Sequence, residues 1–158
     1  MLIEMKVASL TVDPFSDLPV LILRDAEGRS LPLWIGKVEA SAIAAELESI
    51  QLDRPMTHDL MNTILGQCAI TVDRVEVHDL KNSTFFATLF LRRPDGEKLA
   101  VDARPSDAIA LAMRARAPIF VAKKVLDKAR KQHGDEPPVA QTEILAGLNE
   151  RVFGKWKM

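Results

Sequence analysis

The chain carries one cysteine, Cys68, and no tyrosine. A lone cysteine excludes an internal disulfide and any cysteine-based zinc cage. Because Cys68 falls within an apolar helical pattern, it is expected to fill core. The absence of tyrosine removes the tyrosine nucleophiles used by some strand-transfer enzymes. A dominant charge sign is also missing: 21 Lys and Arg against 22 Asp and Glu leave a net charge of −1. No overall positive field attracts nucleic acid, and any such binding needs a local patch. No run approaches the roughly 20 apolar residues of a membrane span. No basic stretch precedes an apolar run at the first residues, so the expectation is a cytoplasmic protein.

What remains is ordinary: 158 residues, 47% hydrophobic and 27% charged, enough for one domain with a real core. Residues 1–131 are expected to form that domain. Gly134-Asp135-Glu136-Pro137-Pro138 reads as a linker, so 132–158, including Trp156, is expected to be linker and C-terminal tail.

Polar side chains crowd one stretch, Asp102-Ala103-Arg104-Pro105-Ser106-Asp107. Alternation before Pro105 puts Asp102 and Arg104 on one strand face, with Leu99, Val101 and Ala103 on the other. Pro105 suits the first helical turn, and Asp107 brings negative charge to the positive end of the helix dipole. Ile109 and Met113 lie on one side of that helix and Leu111 nearly opposite, which predicts a central, covered helix whose N-terminus opens on a polar site. Arg54-Pro55-Met56-Thr57-His58-Asp59 repeats the pattern more weakly. Two such helix starts can converge on one anion or metal; they are equally good helix starts with no ligand.

Elsewhere, β-formers run over Leu2 to Val12, Val20 to Leu23 and Leu31 to Ile35, with Asp25 to Arg29 as a hairpin turn. A helix is predicted from Gly36 to about Gln51, with Glu39 and Glu46 bordering its apolar stripe and Glu48 pointing away. Glu39, at position N3, serves equally as a cap. A second helix is predicted from Thr57 to about Leu65, with Met61, Ile64, Leu65 and Cys68 inward. His58 borders its apolar stripe, with Asp59 roughly opposite, and is either a hydrogen-bonded structural residue or a proton-transfer group. Ile70 to Leu80, Thr84 to Arg92 and Glu97 to Ala103 read as an antiparallel meander. Both faces of Phe85 to Leu91 are apolar, so the strand is either covered on both sides or contributes to a subunit interface, core being the preferred reading. Ala117 to Val121 is a short strand. Lys123 to Lys131 is a helix with a basic, solvated face, a phosphate patch being the alternative. The fold class is α+β: a mixed, largely antiparallel sheet with helices packed on it.

Taken in order, Leu31-Pro32-Leu33-Trp34-Ile35-Gly36 with Glu39-Ala40, then Arg54 to Leu60, then Asp102 to Ala112 resemble the bifunctional nuclease domain family over about residues 1–130. The resemblance implies an α+β fold, a homo-oligomer, and DNA and RNA as the nucleic acids cleaved. The matching polar positions are Glu39, Arg54, His58, Asp59, Asp102, Arg104 and Asp107. Phosphodiester hydrolysis needs an activated water, neutralised phosphoryl oxygens and help for the leaving oxygen. By residue chemistry, Glu39, Asp102 and Asp107 are assigned to Mg²⁺ or Mn²⁺, His58 to proton transfer, and Arg54 and Arg104 to the phosphate. His58, Asp107 and Glu39 form the expected catalytic set. The competing account pairs Arg104 with Asp102, makes Asp107 a cap, and pairs Arg54 with Asp59 or Glu39. Two functions follow: a metal-dependent nuclease of low sequence specificity, or a non-catalytic oligomeric module binding an anionic ligand or a protein.

Overall fold

Short runs of β-formers broken by turn residues give three strands in the first quarter of the chain: β1 (Leu2–Val12), β2 (Pro19–Arg24) and β3 (Ser30–Trp34). They pair antiparallel as a meander in the computed structural model, which describes residues 1–134. Helices α1 (Lys37–Leu47) and α2 (Thr57–Gln67) follow. A second antiparallel meander comprises β4 (Thr71–Lys81), β5 (Thr84–Arg92) and β6 (Lys98–Ala103). The described residues end with α3 (Pro105–Ala115), β7 (Ile119–Ala122) and α4 (Lys123–His133).

The seven strands form one sheet in the order β3-β2-β1-β7-β4-β5-β6. Strand β7 joins the two meanders, pairing antiparallel with β1 and parallel with β4. The fold is α+β, with Pro32 on an edge strand, where a missing N–H is tolerated. Among the described residues no helix is long and apolar enough to cross a membrane.

Helix α3 is the pivot of the core. Its residues from Pro105 to Ala112 are buried except Asp107, with Ile109 and Leu111 fully enclosed. Both α1 and α2 pack on it, and its other contacts are with β4 and β5. Alanines at positions 40, 42, 44, 108, 110 and 112 are buried in this layer and let the helices approach closely.

Several sequence expectations are corrected. Helix α1 stops at Leu47, not near Gln51, because Ser49 turns into the left-handed region (φ 51°). The Ile50 N–H then bonds Ala45 O at 2.9 Å and the Ser49 N–H bonds Glu46 O at 3.2 Å, a Schellman ending. Helix α2 runs past Leu65 to Gln67 and ends the same way, with Ala69 at φ 54°. Cys68, predicted as core, is exposed. Met61 and Ile64, predicted inward, are 38% and 51% exposed, because α2 packs chiefly on α3. Only Ala87, Leu89 and Leu91 of β5 are buried. Phe86 is exposed and Phe90 lies 3.8 Å beneath the Arg74 guanidinium, so the second face is not core.

Helix α4 does present a solvated basic face, with Lys124 and Lys128 within 3.8 Å and 3.5 Å of Asp79. It continues to His133, whose ring packs at a tilt of 39° against Trp34 with centroids 4.5 Å apart. The predicted linker from residue 135 onward, and the tail with Trp156, lie outside the described residues.

Candidate functional site

Three helix N-termini meet at one polar cluster. The N-caps of α1, α2 and α3 are Gly36, Met56 and Arg104, all extended in backbone. Glu39 and Asp107 therefore occupy position N3 of their helices, and His58 position N2. The first turn of a helix leaves N–H groups without intrahelical partners and carries the positive end of the dipole, so acidic side chains and anions are favoured there.

The side chains form a chain of contacts. His58 Nε2 lies 3.1 Å from Asp107 Oδ1. Arg104 donates from Nε to Asp107 Oδ2 at 2.9 Å and from Nη1 to Glu39 Oε1 at 2.8 Å. His58 is buried, only 7% exposed, whereas the Arg104 side chain is 65% exposed; the imidazole is fixed and the guanidinium is at the surface. Asp107 and then Glu39 raise the Arg104 guanidinium above its ordinary pKa, so it stays a cation. Gly36 matters here because a Cβ on it would collide with Glu39 Oε2. The carboxylate needs that space to reach Arg104.

A second cluster lies farther along the same helices. Arg114, with its side chain 4% exposed, donates to Asp59 Oδ1 at 2.6 Å, Ala110 O at 2.9 Å and Ala42 O at 3.0 Å. The other Asp59 oxygen accepts the Met56 N–H at 2.9 Å. Burial works to raise the Asp59 carboxyl, but the Met56 N–H and Arg114 outweigh it and hold the group below its ordinary pKa. Arg114, Asp59, Glu46 and Arg54 line a cleft of about 330 Å³.

The structure thus brings Glu39, His58, Arg104 and Asp107 together. Arg54 stands at the neighbouring cleft. Asp102 does not join them: it sits exposed on edge strand β6, opposite Thr88. Among the described residues no three His, Cys, Asp or Glu side chains gather as a metal site. Arg104 pairs with Asp107 and Glu39 rather than with Asp102, and Asp107 makes no capping hydrogen bond. Asp59 does not lie opposite His58: both turn towards α3, His58 reaching Asp107 and Asp59 reaching Arg114, so the two form no dyad. Arg114 was missed by sequence reasoning. Its signal was present, since it follows Asp107 by seven residues and so shares its helix face.

The whole chain has relatives of matching size. An uncharacterized protein of Mycobacterium tuberculosis is 40% identical over 155 residues, 98% of this chain and 90% of the relative. Bifunctional nuclease 1 of Arabidopsis thaliana is 30% identical over 106 residues, 66% of this chain and 33% of the relative. Bifunctional nuclease 2 of Oryza sativa subsp. japonica is 26% identical over 141 residues, 85% and 42% respectively. The chain spans well under half the length of these two plant proteins. The bifunctional nuclease domain matches residues 21–133, a stretch holding both polar clusters, and the chain belongs to that family.

Proposed function

We propose that the protein hydrolyses phosphodiester bonds of DNA and RNA at the His58–Asp107–Arg104–Glu39 cluster. The observation that carries this reading is the convergence of three helix N-termini on a histidine–carboxylate pair beside a surface arginine. The plant relatives named as nucleases support it. The Asp107 carboxylate accepts a hydrogen bond from His58 Nε2–H, leaving Nδ1 to take a proton from the attacking water or from a ribose 2′-hydroxyl. Arg104 and the helix N-termini hold the phosphoryl oxygens. As the new oxygen–phosphorus bond forms and the old one breaks, the imidazolium returns its proton to the departing oxygen. Glu39 anchors the guanidinium from the other side.

The carboxylates do not fit a resident Mg²⁺ or Mn²⁺. Glu39 and Asp107 both hold Arg104, and Asp102 stands apart on its edge strand. In this reading the proton and charge steps fall to the chain's own groups.

The saturation of Glu39 and Asp107 by one arginine also favours a second reading, a non-catalytic module binding an anionic ligand. Single-stranded DNA and RNA incubated with the protein in Mg²⁺, Mn²⁺ or EDTA separate the two. Cleavage that survives EDTA is expected. Cleavage abolished by EDTA would overturn the metal-free chemistry, and binding of the oligonucleotides without cleavage under all three conditions would establish the module instead.

A further inference from the structure

We propose that the cleft beside Arg114 is a nucleotide subsite with a preference for guanine, an inference that rests on the nuclease reading of the neighbouring cluster. Two groups in this cleft are held by no hydrogen bond. Arg54 is exposed and has no partner among the described residues. Glu46 has Arg114 Nε as its nearest cation at 3.8 Å, beyond hydrogen-bond length, so both carboxylate oxygens are open to donors. Arg114 itself is committed to Asp59 and to two backbone carbonyls and serves as a fixed, positively charged wall.

Arg54 and Glu46 carry opposite signs at one cleft, with the Glu46 carboxylate in ion-pair range of Arg114 but in no hydrogen bond among the described residues, which suits a ligand with an anion at one end and adjacent donors at the other. A nucleotide has that character: Arg54 takes the phosphate and Glu46 reads the base. A carboxylate offers two parallel acceptors. Guanine is the base whose pairing edge presents two neighbouring donors, N1–H and the exocyclic amine, whereas the other bases place acceptors beside their donor. Leu52 and Pro55 give the cleft apolar surface for the base plane, and 330 Å³ is of ligand size.

The cleft is also placed for a substrate. Glu46 follows Glu39 by seven residues on α1, and Arg114 follows Asp107 by seven on α3. Both spacings are two helical turns, about 10 Å along the axis. A single strand with one phosphate at Arg104 passes the cleft within a few nucleotides. The subsite would bias where cleavage falls relative to guanine.

Calorimetric titration with guanosine and adenosine 5′-monophosphates, using the full chain, tests this. The guanine nucleotide is expected to bind about tenfold tighter. Glu46→Gln should erase that difference, because an amide presents one acceptor instead of two. Arg54→Ala should weaken both nucleotides by a similar factor. Equal affinity of the two nucleotides, or a guanine preference that survives Glu46→Gln, would overturn the subsite. Failure here with oligonucleotide cleavage intact removes the subsite and spares the nuclease reading; guanine-selective binding without any cleavage does the reverse.

Discussion

Arg104 and Arg114 each sit against carboxylates, yet their environments give them different work. Arg104 is mostly in water, where an ion pair adds little stability; its Nε and Nη1 are held by Asp107 and Glu39, and the rest of the guanidinium faces a ligand. Arg114 is enclosed, and removing its partner leaves an uncompensated buried charge. Asp59→Asn is therefore predicted to destabilise by about 2 kcal/mol. That is less than the 3–5 kcal/mol of a fully buried pair, because about a third of Asp59 is in water. The loss is also pH-dependent. The Asp59 pKa is lowered on folding from an ordinary 3.8, so the carboxylate stabilises the fold above that value and ceases to do so as pH falls through its folded value. Urea unfolding should show the gap between wild type and variant widest at neutral pH and narrowing below about pH 4. A constant gap would show that Asp59 is not the charge that holds Arg114.

At the scale of elements, the periodic pattern located every helix and strand among the described residues but misjudged the ends of α1, α2 and α4 and one face each of α2 and β5. The ends of α1 and α2 were hidden because Ser49 and Ala69 occupy left-handed positions where glycine is the usual signal. Such a conformation costs a non-glycine residue about 1 kcal/mol. Ala69→Gly is accordingly predicted to stabilise the protein by up to about 1 kcal/mol, read as a higher urea midpoint. A lower midpoint would mean that the α2 ending is not strained. The exposed side of α2 was misread for another reason. Helical spacing identifies an apolar face but not the body that covers it, and Met61, Ile64 and Cys68 are left exposed. The starts of α2 and α3 were legible because each begins with Arg-Pro ahead of its polar N-terminal turn. So was the convergence of those starts on one site.

Across the whole molecule, the sheet order depended on contacts that no local pattern carries. Ile119 pairs with both Met5 and Val75, which brings a four-residue strand between two meanders distant in sequence. That insertion threads α3 beneath the sheet and carries its polar N-terminus to α1 and α2. The α+β class and all seven strands follow from alternation and turns; the place of β7 between the two meanders does not. The candidate site was legible as a set of residue types, Glu39, His58, Arg104 and Asp107, while the exclusion of Asp102 and the presence of Arg114 required the packed helices.

The most direct measurement is steady-state cleavage of single-stranded RNA and DNA by wild type and His58→Gln, with thermal unfolding of both followed in parallel. Glutamine can keep a hydrogen bond to Asp107 but cannot exchange a proton near neutral pH. If His58 is the proton carrier at the junction of the three helices, kcat should fall about 10²–10⁴-fold, with KM and the unfolding midpoint little changed. A folded His58→Gln variant that cleaves at the wild-type rate would contradict the assignment of catalysis to this cluster.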